Sequence, residues 1–244
     1  PADAIFGFKL QEYGMPKSDI ATISPLLMMA GLLVPAFTGS IVTARPMETF
    51  LGGLALKMVM SVVMWGLVQY TPDAYADPAG PSMNFLVPLV VAMLVMEVAG
   101  NVVFISIIAF FSKISDPTIG ASYMTLLNTL TNLGSKWITS LSLYLLPQMT
   151  YYACKGAIVN VGTEGGEGTE GVNSPLLTCS ELDTFQCTKH GGTCEIELDG
   201  YTIQVALAMV IGVIWMMIFR SRALHLQSLP HEDWLISTSN TKGK

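Results

Sequence analysis

Charged residues are scarce in this chain of 244 residues. They make up 12% of the sequence, whereas a soluble domain carries roughly a quarter. Hydrophobic residues make up 51%. This composition excludes an ordinary soluble domain and predicts an integral membrane protein. The net charge of −6 lies mainly in the connecting segments, so it gives no indication of a nucleic-acid partner.

Motifs for catalysis and metal binding are also missing. The sequence contains no glycine-rich phosphate loop, no nucleophile paired with a base and no metal motif. The histidines, His190, His225 and His231, lie in a loop or tail, whereas a membrane-embedded acyltransferase needs one inside a span. We therefore expect no enzyme activity, catalytic residue, metal or cofactor, and we expect any chemistry to be translocation of a solute.

Five apolar segments are long enough to cross a hydrocarbon core of about 30 Å, which takes about 20 residues of helix. They cover 21–43, 50–70, 84–111, 119–147 and 201–219. The predicted fold class is therefore all-α, a polytopic membrane protein with about five transmembrane helices.

The chain begins at Pro1, and its first residues lack the charged and apolar regions of a signal peptide. We interpret the sequence as a fragment of a longer protein. Its predicted parts are the end of a truncated helix with its loop (1–20), a four-helix membrane bundle (21–147), a cysteine-containing loop (148–200), a final transmembrane helix (201–219) and a tail (220–244).

Basic residues in the connecting segments predict the orientation. One side of the membrane receives Arg45, Lys113, Arg220, Arg222, Lys242 and Lys244. The other side receives Asp73, Asp77 and the acidic loop 148–200, with Lys9 and Lys17 as a mild exception. Because short cytosolic segments carry an excess of Lys and Arg, we expect the C-terminus in the cytosol and the loop 148–200 in a lumen.

All cysteines of the chain lie in that luminal loop, at Cys154, Cys179, Cys187 and Cys194. Four cysteines confined to the non-cytosolic side predict two disulfides in an oxidising compartment. Three pairings are possible, and the sequence does not choose between them. A zinc site is the weaker alternative, because no C-x-x-C pair occurs. Residues 162–171 form a low-complexity insert of Gly, Glu and Thr.

The segment 119–147 carries a polar stripe. At 100° per residue, its polar side chains fall on one arc and its leucines and Trp137 on the opposite arc. The stripe consists of Thr125, Asn128, Asn132, Ser135, Lys136, Thr139 and Ser142. Hydrocarbon cannot hydrate these groups, so the stripe must face protein or a watery cavity. It therefore predicts a polar interior and a path for a solute.

Three charged residues lie inside the predicted spans. Lys136 is about 16 Å before Pro147, too far for its side chain to reach the luminal interface, so it either pairs within the bundle or contacts an anionic solute. Glu97, with Asn101 one turn later, either forms a static pair with Lys136 or exchanges a proton. Lys57 lies nearer the cytosolic end of its span, and we expect it to anchor at the interface.

Residues 113–137, with the sequence KISDPTIGASYMTLLNTLTNLGSKW, resemble the acetyl-coenzyme A transporters of the endoplasmic reticulum membrane. The resemblance continues to residues 198–201 and, more weakly, back to the N-terminus. It implies that the five spans are helices eight to twelve of a twelve-helix major-facilitator fold. The missing N-terminal half of the same transporter is then a partner, together with the lipid bilayer.

The resemblance also implies import of cytosolic acetyl-coenzyme A into the endoplasmic reticulum or Golgi lumen. On the matching run, Thr125, Asn128, Asn132 and Lys136 are placed to line the path. The residues themselves add Asn101 to the solute-binding set and Glu97 as a site of proton coupling or ion pairing. Acetyl-coenzyme A carries about four negative charges, mostly on phosphate groups, so cations from elsewhere must help Lys136.

Two alternatives remain open from the sequence. The first is a major-facilitator carrier for another anionic or sugar-peptide solute, as in bacterial muropeptide permeases, against which the luminal cysteines count. The second is a membrane-embedded acyltransferase or a structural subunit. For the Thr and Asn residues of the stripe, a separate alternative is contact between helices, worth about 0.6 kcal/mol each.

Overall fold

A computed structural model describes residues 2–76, 81–115, 119–155, 193–230 and 234. The described residues form six helices and one β-hairpin. In chain order these are α1 (Ala2–Glu12), α2 (Lys17–Ala44), α3 (Pro46–Ala74), α4 (Met83–Ile114), α5 (Gly120–Met149), β1 (Tyr151–Lys155), β2 (Thr193–Leu198) and α6 (Gly200–Ser228).

Four of these helices, α2, α3, α4 and α6, are long and apolar enough to cross a membrane. This confirms the prediction of an all-α polytopic membrane protein. Helix α5 is as long, with 30 residues, but its polar side chains lower its hydropathy below that of the other four. The crossing at 119–147 therefore stays a prediction.

Helix α4 packs against both α2 and α3. Its buried residues recur every three or four positions, which places them on one side of the helix. They are Phe85, Leu89, Ala92, Met96, Ala99, Ser106, Phe110 and Ile114. The same spacing leaves the other side of α4 for polar residues, among them Glu97.

A buried glycine brings α3 close to α4. A Cβ atom on Gly53 would lie 2.9 Å from Val103 Cγ2 and 3.6 Å from the Ala99 carbonyl oxygen. The neighbouring Gly52 has nothing within 4 Å of such an atom. Gly53 is therefore the position where the α3–α4 contact requires the absence of a side chain.

Helix ends come into contact at two places, one that joins α3, α4 and α6 and one that joins α2, α3 and α4. At one end, the Gln227 Oε1 atom of α6 accepts a hydrogen bond from the Met47 amide of α3 (2.6 Å), and Lys113 Nζ of α4 donates to the Gln227 carbonyl oxygen (3.4 Å). The segments around Arg45 and Lys113 and the start of the basic tail thus lie together. Which compartment they face stays a prediction.

At the opposite end, the tyrosine that follows α3 contacts the start of α2. The Tyr75 hydroxyl donates a hydrogen bond to Asp19 Oδ2 (3.0 Å), and the Tyr75 ring packs edge-on against Phe85 of α4. Burial, together with the hydrogen bond to the Asp19 carboxylate, raises the pKa of Tyr75 to about 12. This contact closes the α2–α3–α4 bundle at the end away from Arg45.

Residues 140–206 form a second compact unit. It contains the end of α5, the hairpin and the start of α6, so both ends of the predicted loop 148–200 are strands. The Thr150 hydroxyl donates to the Leu146 carbonyl oxygen (2.8 Å) and accepts from the Gly200 amide (3.2 Å). One helical turn further, Gln204 Nε2 donates to the Ser142 carbonyl oxygen (2.8 Å). Hydrogen bonds therefore join α5 to α6 beside the hairpin.

Candidate functional site

Glu97 and Asn101 form a polar pair on α4. Asn101 Nδ2 donates hydrogen bonds to Glu97 Oε1 and to the Glu97 carbonyl oxygen, and each donor–acceptor distance is 2.9 Å. Glu97 is exposed and Asn101 half-buried. The amide therefore orients the carboxylate while one side of it remains accessible, as a group that binds a solute or exchanges a proton requires.

Helix α2 presents a glycine to this pair. A Cβ atom on Gly31 would lie 3.3 Å from Glu97 Oε1 and 3.5 Å from Asn101 Nδ2. The close approach of α2 to the polar pair thus depends on a residue without a side chain. The sequence offered no signal for Gly31, because its role depends on how α2 packs against α4.

Lys57 of α3 lies beside α4. Its Nζ atom lies 3.8 Å from the position that a Cβ atom would take on Gly100 of α4, and its side chain is half-buried. Gly100 sits between Glu97 and Asn101 in the sequence, and Lys57 is about 16 Å from the start of α3 at Pro46. The ammonium group therefore lies against the middle of α4, and its anchoring at the membrane interface stays a prediction.

The polar stripe of α5 is exposed along most of its length. Thr125, Asn128, Asn132, Ser135 and Lys136 are exposed, and Thr139 and Ser142 are half-buried. Among the described residues, the side chains of the stripe form hydrogen bonds only within α5. Examples are the bonds that Thr125, Asn132 and Thr139 donate to the carbonyl oxygens of Ala121, Asn128 and Ser135, respectively. The stripe thus makes no side-chain hydrogen bond to another described helix.

The opposite, apolar face of α5 is equally open. Leu126, Leu130, Leu133 and Trp137 are each more than half exposed, and no residue of α5 is buried. Lipid suits the leucines but not the stripe on the other side. The two faces therefore require different surroundings.

Lys136 and Glu97 do not form an ion pair with each other or with any residue that the structure describes. The static pair considered from the sequence is thus not formed within the described chain. Lys136 is exposed, so its ammonium group is available to an anion that is not part of these residues. Its contact with a solute stays a prediction, as does proton exchange at Glu97.

An open cavity of about 520 Å³ lies along the first turns of α5. Its lining residues are Ala121, Ser122, Thr125, Leu126 and Thr129, so it includes the first residue of the stripe but none of α4. The described residues contain no group of three or more His, Cys, Asp or Glu side chains that could hold a metal ion. Cys179 and Cys187 lie outside the described residues.

Comparison with known proteins gives the family. A family model described as acetyl-coenzyme A transporter 1 matches residues 33–236, which is more than half of the chain. The chain belongs to the acetyl-coenzyme A transporter family. The match includes Lys57, Glu97, Asn101 and the whole of α5 with its stripe.

Relatives of this family member occur in two yeasts. The chain is 26% identical over 230 residues to an uncharacterized protein of Schizosaccharomyces pombe, covering 93% of the chain and 40% of that protein. It is 28% identical over 251 residues to an uncharacterized membrane protein of Saccharomyces cerevisiae, covering 96% of the chain and 39% of that protein. The chain therefore spans about two fifths of the length of these relatives. No solved structure matches it.

Proposed function

We propose that this chain is part of a carrier that moves acetyl-coenzyme A across a membrane, from the cytosol into the lumen of the endoplasmic reticulum or Golgi. Family membership supports the solute. The single observation that carries the proposal is the stripe on α5, whose polar side chains make no hydrogen bond to another described helix. A membrane protein keeps such a surface only where protein or water covers it.

In this proposal α5 is the fifth transmembrane helix, and the five spans are helices eight to twelve of a twelve-helix major-facilitator fold. The remainder of the full-length protein supplies the other half. In such carriers the solute site lies near the midplane between the two halves. The stripe of α5 then faces the other half across the solute path, and the leucine face of the same helix meets lipid.

The chemistry of the stripe suits a phosphorylated solute with amide groups. The Thr125 hydroxyl donates to its own helix, so towards a solute its oxygen acts as an acceptor. Asn128 Oδ1 accepts from Asn132, which leaves the amide hydrogens of Asn128 as donors to phosphate oxygens. Lys136 adds a full positive charge, and its attraction for phosphate is stronger in a site shielded from bulk water.

Lys57 is a second cation for the same path. Its ammonium group lies beside Gly100, next to Asn101 in the sequence. A solute with about four negative charges requires more than one cation in an interior of low dielectric constant. At the end of the bundle where Arg45 and Lys113 lie, further positive charge attracts the anion to the entrance.

Proton coupling is assigned to Glu97 in this proposal. Of the helices packed against α4, α2 contributes Gly31 and no charge at this level, and α3 contributes Lys57. Asn101 is the neighbour on α4 itself. An ionisable carboxylate inside a membrane span is a frequent site of proton exchange.

Uptake measured with the full-length gene product tests the carrier. Proteoliposomes with purified protein should accumulate labelled acetyl-coenzyme A, and empty liposomes should not. Accumulation of another anion or of a sugar-peptide instead would support the alternative carrier. Transfer of acetyl groups by detergent-solubilised protein without vesicles would overturn transport in favour of an acyltransferase.

A further inference from the structure

Two of the cysteines lie directly opposite each other in the hairpin. In the antiparallel register Cys154 pairs with Cys194, between the pairs Ala153–Glu195 and Lys155–Thr193. Opposite residues of antiparallel strands have Cα atoms about 4.5–5.5 Å apart, and disulfides span Cα distances of about 4.4–6.8 Å. We propose that Cys154 and Cys194 form a disulfide bond across β1 and β2.

This register selects one of the three pairings that the sequence leaves open. Either of the other two pairings joins Cys154 to a residue outside the hairpin and separates it from its strand partner. With Cys154 and Cys194 joined, Cys179 and Cys187 are the remaining two cysteines of the chain. They lie outside the described residues.

The bond closes the chain beside the junction of α5 and α6. Thr150, which directly follows α5, accepts a hydrogen bond from the amide of Gly200 at the start of α6. A Cβ atom on Gly200 would lie 2.5 Å from the Leu146 carbonyl oxygen, so the contact is close. The hairpin continues from this junction, and a cross-link at Cys154 and Cys194 fixes the base of the segment between the strands.

Bond formation requires an oxidant. The two thiols lose two protons and two electrons as one S–S bond forms, and a disulfide of a thiol–disulfide oxidoreductase accepts them and becomes two thiols. Such exchange is favoured in a secretory lumen and disfavoured in the cytosol. The proposal therefore requires the hairpin to face the lumen, but it does not depend on what the protein transports.

Trypsin separates the possible pairings. In the native sequence it cleaves after Lys136, Lys155, Lys189 and Arg220, so Cys154 falls in peptide 137–155, Cys194 in 190–220, and both Cys179 and Cys187 in 156–189. Membranes containing the full-length protein would be treated with N-ethylmaleimide, digested without reductant and analysed by mass spectrometry. We expect peptide 137–155 joined to 190–220, and peptide 156–189 separate from both.

The other pairings give a different product. Each of them joins all three peptides into one species, and that species would overturn the proposal. Alkylation of Cys154 or Cys194 by N-ethylmaleimide in most molecules would overturn it as well. After reduction, 137–155 and 190–220 should appear as single peptides.

Engineered cysteines test the register independently. In a variant with Cys154→Ser and Cys194→Ser, the strand partners Tyr152 and Ile196 would be replaced by the pair Tyr152→Cys and Ile196→Cys. We expect this pair to cross-link. The matched control, Tyr152→Cys with Glu195→Cys, is one residue out of register and places the two side chains on opposite faces. Its two thiols should therefore stay unlinked and be alkylated by N-ethylmaleimide. Cross-linking of the control instead of the test pair would overturn the register on which the disulfide rests.

Discussion

Helices α4 and α5 have nearly the same length but opposite surroundings. Helix α4 buries one side against α2 and α3, and its polar pair Glu97–Asn101 is covered in part by Gly31. Helix α5 buries no residue, although it carries the longer row of polar side chains. An apolar helix can be packed by its neighbours alone, whereas a half-polar one requires a partner for its polar side. In the proposed carrier, the polar side of α5 therefore faces the interior.

The largest effect is expected from Lys136. In the full-length carrier, Lys136→Ala should lower uptake of acetyl-coenzyme A by about 10-fold or more, because a hydrogen bond to a charged group contributes roughly 1.5–3 kcal/mol. Initial rates in proteoliposomes would measure this. Leu130→Ala, on the other face of the same helix and also exposed, is the matched control and should transport normally. Normal uptake by Lys136→Ala would remove the functional difference between the two faces.

A packing effect is expected in the other helix pair. Gly53→Val places a side chain 2.9 Å from Val103, and such overpacking costs about 1–3 kcal/mol. The fraction of monodisperse protein that survives heating in detergent should therefore fall. Gly52→Val, one residue earlier and without a neighbour within 4 Å, should behave like the wild type. Equal losses from both variants would contradict the α3–α4 contact.

Glu97→Gln should leave folding intact and remove the dependence of uptake on pH. Glutamine keeps the shape and the hydrogen bond with Asn101 but cannot exchange a proton. Uptake would be compared across a range of external pH in vesicles. A variant with the pH profile of the wild type would exclude Glu97 as the coupling site and leave α4 with a purely structural polar pair.

The smallest effect is expected from Gly31→Ala. The added methyl group would lie 3.3 Å from Glu97 Oε1, so the carboxylate must move by a few tenths of an ångström, and uptake should fall by about two- to five-fold, an energy of roughly 0.4–1 kcal/mol. Gly39→Ala in the same helix has no neighbour within 4 Å and serves as the control. Identical uptake by the two variants would show that α2 does not position the pair.

The membrane class and the helices could be predicted from the sequence, because a long apolar run is a local signal. The stripe from Thr125 to Ser142 was equally local, since it depends only on helical periodicity. The contact of Lys57 with the middle of α4 was not predictable from the sequence, because it depends on how α3 packs against α4. The Cys154–Cys194 register was not predictable either, since it depends on two short strands that are distant in the sequence.

Accessibility of the two faces of α5 in the full-length carrier tests the central claim most directly. Single cysteines would be introduced by Asn132→Cys and Leu133→Cys and treated with a membrane-impermeant thiol reagent in intact vesicles. We predict that the cysteine at 132 reacts and that acetyl-coenzyme A protects it, while the cysteine at 133 stays unreactive. Reaction at 133 but not at 132, or reaction at 132 without protection by acetyl-coenzyme A, would contradict a solute path along the polar stripe.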